Sequence, residues 1–223
     1  MTVPADATLS SSGTTFTGVV RRVLLTLAAG AVSGFLVGGV GGRVAMRVLA
    51  LTSPDIAQGR LTDDAARVGA FSLGGSLALA LALSMVGAVV GMSYLVVRRV
   101  LPQSRRGRMA GYALFTGVVG GAALVHDHPS FDYTILQPTW LAVALFILIP
   151  TVYGAMVAWI VESWPEADRA PAGGPLAAIW RSRSITALGT VLYWAVVCWG
   201  SYAITADIVS LATDHPSQAP FSL

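Results

Sequence analysis

The sequence predicts an all-α fold: a polytopic transmembrane bundle of about five membrane-spanning helices, with the N-terminus cytoplasmic and the C-terminus outside. Three observations predict it. Of the 223 residues, 55% are hydrophobic and only 11% are charged, against about 25% charged in an ordinary soluble domain. The mean hydropathy is +0.70, too apolar for a globule that must clothe itself in polar surface. The polar residues are also gathered into short stretches that alternate with apolar runs long enough to cross a bilayer.

Residues 1–18 are small, polar and rich in Ser and Thr, and read as a disordered cytoplasmic tail. Arg21 and Arg22 then precede an apolar run. A twin arginine also opens some export signals, but no small-x-small cleavage pattern follows, so an uncleaved first helix over 19–51 is expected. Within it Gly30, Gly34, Gly38 and Gly42 recur every fourth residue and fall on nearly one face. Such a stripe lets helix backbones approach closely in lipid. It suits packing inside the chain, with a homo-oligomer through the same face as the other use.

The second helix is expected over 71–97, ending at Arg98 and Arg99, and the third over 109–125 after Arg105, Arg106 and Arg108. The fourth spans 140–162, with Pro150 near its middle, where a lost backbone donor favours a kink. A polar loop with Pro165, Pro171 and Pro175 leads to the fifth, over 185–211. A single membrane domain thus covers 19–211, and 212–223 form an outer tail.

Arginine sets the orientation. The chain has no lysine, and ten of its 14 arginines (Arg21, Arg22, Arg98, Arg99, Arg105, Arg106, Arg108, Arg169, Arg181 and Arg183) fall on one side of such a bundle. Basic loops stay in the cytoplasm, so that side is inner and the protein is a multi-pass protein of the cell membrane. These arginines serve as topology signals and are given no chemistry, and the pI of about 9.4 is no sign of nucleic-acid binding. Cys198 is the sole cysteine, so no internal disulfide forms.

The outer side holds the remaining polar chemistry. Arg43 and Arg47 stand four apart near the outer end of the first helix and share a face. An arginine at that depth pairs with a carboxylate, faces a polar cavity or snorkels to headgroups. Asp55, Asp63, Asp64 and Asp132 lie in the adjoining loops. Adjacent carboxylates in a poorly solvated place repel, which keeps one protonated and makes it a proton donor. Phe71, Tyr133, Trp140, Trp199 and Tyr202 are aromatics near the same mouth. An acid beside aromatic faces suits protonation of an alkene and stabilisation of the resulting cation. The aromatics also fit an interfacial belt.

His126, His128 and His215 are outer too, two of them in a repeated Asp-His-Pro-Ser. Their spacing matches no metal signature. The chain has no P-loop, GxSxG or dinucleotide fingerprint. Spans nearly free of ionisable groups argue against an ion channel or pump.

The stretches GGRVAMRVLA (41–50), SPD (53–55), TDDAARVG (62–69), FSLGG (71–75) and ILQPTWLAVALFILIP (135–150) resemble a family of small actinobacterial integral membrane proteins. Most have no assigned function, and a few are similar to membrane-bound terpene cyclases. The resemblance implies cyclisation of a prenyl chain on a lipophilic substrate by protonation, without metal or cofactor. Asp63, Asp64, Asp55 and Asp132 would supply the acid, and Arg43 and Arg47 would organise the site. The competing expectation is a non-catalytic membrane protein that binds a lipid headgroup or a partner protein through its outer loops.

Overall fold

The computed structural model describes residues 6–52, 73–125, 138–164 and 183–214, and every element among them is a helix. α1 (Asp6–Ser33) runs unbroken through a π-helical segment (Gly34–Gly41) into α2 (Gly42–Thr52). α3 (Leu73–Gly91) and α4 (Ser93–Val97) are offset by a turn at Met92. α5 (Arg105–Leu124), α6 (Thr139–Glu162) and α7 (Arg183–Asp214) complete the bundle. The backbone is helical from Asp6, where the sequence suggested a disordered tail to residue 18. No proline interrupts residues 6–18, and extending an existing helix avoids a second nucleation step, which works against the poor helix propensity of its Ser, Thr and Gly.

Among the described residues, four stretches are long and apolar enough to cross a membrane: Gly18–Thr52, Gly74–Val97, Thr139–Glu162 and Thr186–Ser210. The expected third span, 109–125, is α5, and it falls short of that standard. Arg105, Arg106 and Arg108 fill its first turn, and Gly107, Gly111, Gly117, Gly120 and Gly121 dilute its hydropathy.

The helices pack in a definite sequence. α6 is central and touches α5, α1, the π segment and α2. α7 lies on the far side of α5, and α3 lies against α1 and the π segment. One core cluster joins Ala29, Tyr94, Tyr112, Tyr153, Val157 and Tyr193. A second, at the opposite end, joins Leu49, Ala50, Val125, Ala142 and Val143. The outward faces remain apolar, with Met85 74% and Val89 70% exposed on α3 and Val191 65% exposed on α7. A belt of that kind is the surface expected of a bundle whose solvent is lipid.

The glycine stripe meets α3 of its own chain. A Cβ at Gly30 would strike the Gly87 carbonyl oxygen, and one at Gly34 would strike that of Leu83. Gly87 returns the contact against Gly34. Gly38 abuts the Leu83 side chain, whereas nothing lies within 4 Å of a Cβ at Gly42. Three glycines of the face expected to serve an oligomer are therefore covered inside the chain. The π segment explains the fourth. Its hydrogen bonds span five residues and its turns are wider than those of an α-helix, so the stripe drifts, the buried pair is Gly34 and Gly39, and Gly42 rotates off it.

Hydroxyls pin the backbones together. Tyr153 donates to the Gly87 carbonyl (2.6 Å), Tyr193 to that of Gly111 (2.8 Å), and Ser84 to that of Ala31 (3.0 Å). α6 stays continuous through Pro150, whose ring lies against Gly120 of α5.

Candidate functional site

Among the described residues, the ion pairs of arginine lie at one end of the bundle. There, α4, α5 and α6 converge on Glu162, the last residue of α6. Its side chain is 4% exposed. Oε1 accepts from Tyr94 Oη (2.7 Å) and from Arg98 Nε (2.6 Å). Oε2 accepts from Arg108 (2.7 Å) and, more weakly, from a second Arg98 nitrogen (3.3 Å). Both carboxylate oxygens are thus saturated by cationic or phenolic donors. Nearby, Arg105 donates to Ser163 Oγ (2.6 Å) and Ser104 caps α5 by accepting from the Gly107 N–H.

Aromatic rings extend this end into the bundle. Tyr94 meets Tyr112 edge-on at 4.8 Å, Tyr112 stacks on Phe115 at 6.1 Å, and Phe115 stacks on Tyr193 at 6.0 Å. Tyr112 also bonds Ser93 Oγ and the Val90 carbonyl. The sequence analysis assigned the inner arginines to topology alone and passed over Glu162. A signal was present: an acid closing a 24-residue apolar helix on the side that holds ten arginines.

At the other end stand the residues expected to form the site. Arg43 is half-buried on α2, and its Nε is buried with no hydrogen-bond partner. Arg47, one turn further, is exposed. Trp140, Trp199 and Tyr202 are 52%, 74% and 70% exposed. Trp199 and Tyr202 face each other at 6.4 Å on α7. α7 packs on α5, whereas α2 packs on α6, so these rings stand on an element separate from the two arginines. Their exposure is that of interfacial aromatics that present a ring to lipid and a polar edge to water. Asp55, Asp63, Asp64, Asp132, Phe71, Tyr133 and the three histidines lie outside the described residues, as do the ion pairs expected between the loop acids and Arg43 or Arg47.

Fold and geometry together define a class: an all-helical bundle with four helices long and apolar enough to cross a membrane and a buried ion-pair cluster at one end. No protein-family model, curated protein or solved structure matches the chain.

Proposed function

We propose that the protein is a five-span membrane protein with its N-terminus in the cytoplasm, and that its outer end takes up a bilayer-soluble amphiphile by the polar head. In this reading α5 crosses the membrane as well, shielded by α6 and α7, which supply the apolar contacts its own composition lacks. The arginine-rich Glu162 end is cytoplasmic. The observation that carries the reading is Arg43, half-buried with an unpartnered Nε, at the end away from the neutralised Arg98 and Arg108. A buried guanidinium N–H without an acceptor is costly, and an amphiphile's head would satisfy it.

The chemistry proposed at that mouth is protonation-initiated cyclisation of a prenyl chain. A carboxyl among Asp63, Asp64, Asp55 and Asp132 adds a proton to a terminal alkene. The cation closes a carbon–carbon bond with a second alkene, and a proton is lost, so the product is an isomer. Support for this step comes from the sequence. The non-catalytic alternative keeps the amphiphile and omits the step.

One experiment separates them. Membranes carrying the protein, incubated with prenylated indoles or prenylated aromatics, are expected to yield a product of unchanged mass and new retention. Asp63→Asn or Asp64→Asn is expected to slow conversion by about 100-fold, the scale of a lost general acid. Unaltered substrate with the wild-type protein removes the cyclase step for those substrates.

A further inference from the structure

We propose that a phosphate monoester headgroup binds at the outer end of the bundle, where α2 and α3 diverge beyond Gly39, held by Arg43, Ser76 and Arg47. The inference rests on the amphiphile reading above and names the chemistry of the head. It starts from the helix register. Gly30 lies on Gly87, Gly34 on Leu83 and Gly39 on Ala80, so α1 and α3 run antiparallel with paired rungs. The next rung sets Arg43 across from Ser76.

Two buried polar atoms without a hydrogen-bond partner belong to that rung: Arg43 Nε and Ser76 Oγ. α3 packs on α1 and the π segment, whose close contacts end at Gly39, so the helices are not drawn together at Arg43. Buried polar atoms are nearly always bonded, and two orphans on facing helices at one level point to a shared acceptor. Arg47 stands one turn beyond on the same face of α2, exposed, and supplies a second positive charge there.

The donor set selects the ligand. The Nε–H edge of Arg43 presents a planar two-donor fork, Ser76 adds one O–H, and Arg47 adds a further fork. A carboxylate has two oxygens and fills the Arg43 fork while leaving Ser76 bare. A phosphate monoester has three terminal oxygens and two negative charges near neutrality. It meets all three side chains and balances both guanidiniums. A neutral head balances neither.

The test uses the full chain in a maltoside detergent, which carries no phosphate. The probes are 1-oleoyl lysophosphatidic acid, 1-oleoylglycerol (the same molecule without the phosphate) and inorganic phosphate. Lysophosphatidic acid is expected to bind at least about tenfold tighter than oleoylglycerol, the worth of one charge-assisted hydrogen bond. Arg43→Gln and Ser76→Ala are each expected to remove most of that difference, by weakening lysophosphatidic acid far more than oleoylglycerol. Arg43→Lys, which keeps the charge and loses the fork, is expected to restore only part. Equal affinity for the two lipids, or a preference insensitive to both Arg43→Gln and Ser76→Ala, overturns the phosphate site while the amphiphile reading stands. Binding of neither lipid overturns the amphiphile reading itself. Inorganic phosphate bound as tightly as the lipid makes this a free-anion site and overturns the headgroup assignment.

Discussion

Glu162→Ala is expected to be among the most destabilising single substitutions in the chain, at about 3–5 kcal/mol, the cost of breaking a buried ion pair by removing one partner. The carboxylate is 4% exposed, and its partners Arg98 and Arg108 are 17% and 16% exposed in their side chains. Deleting it removes the carboxylate that both guanidiniums share at the end of the bundle. The Tyr94 hydroxyl, which donates to Oε1 at 2.7 Å, also loses its acceptor. Because the three donors come from α4, the turn after it and α5, while the acceptor ends α6, the loss falls on the joint between three helices. Glu162→Gln keeps an acceptor for Tyr94 and removes the charge, so it should cost less than the alanine. Reversible unfolding of the detergent-solubilised protein in dodecyl sulfate reads these differences. A loss below about 1 kcal/mol for Glu162→Ala would match a solvated surface pair and would contradict the clamp.

Gly34→Ala and Gly42→Ala are expected to change stability in opposite directions, although both replace a glycine in one continuous helix. At Gly34 the new methyl meets the Leu83 carbonyl oxygen and lies about 3.1 Å from the Gly87 Cα. Both are backbone atoms, which cannot rotate away, so the helices must part. Overpacking of this kind costs about 1–3 kcal/mol, and separation also weakens the Ser84 bond to the Ala31 carbonyl beside it. At Gly42 nothing lies within 4 Å, and alanine gains up to about 1 kcal/mol from helix propensity. The same unfolding assay should therefore move the Gly34→Ala midpoint down and leave the Gly42→Ala midpoint level or raised. Matching losses at both positions would mean that Gly42 is covered as well, as an oligomer through the stripe requires.

The last two helices were legible in the sequence in both existence and extent because apolar length reports membrane-type helices directly. The expected 140–162 became Thr139–Glu162, and 185–211 became Arg183–Asp214. What single-chain reading missed depends on which faces meet. Glu162 and Arg98 are 64 residues apart, and no local pattern announces that Arg98, Arg108 and Tyr94 converge on one carboxylate. Arg98 and Arg108 report orientation and also neutralise a buried charge, and the first role hid the second. The stripe was readable as a close-packing face, but the partner Gly87 became apparent only from the antiparallel register. The π segment was unreadable for a similar reason. A four-residue glycine repeat predicts a straight α-helical face, and the wide turns that shift it are chosen by the fit of Gly39 on Ala80. At the candidate site, Arg43 and Arg47 were picked out of the sequence as two arginines one turn apart. Ser76, an ordinary serine in an apolar run, gave no signal until its hydroxyl proved to be buried without a hydrogen-bond partner.

The central claim is that the end with Arg43 and Arg47 faces the outside and the Glu162 cluster faces the cytoplasm. Single cysteines placed in a Cys198→Ser background test it on intact cells with a membrane-impermeant maleimide. Arg47 and Arg106 are both exposed, so each site is open to the reagent from its own side. The account predicts that the Arg47→Cys protein is labelled on intact cells and the Arg106→Cys protein only after lysis. Labelling of the Arg106→Cys protein on intact cells, with the Arg47→Cys protein protected until lysis, would contradict it.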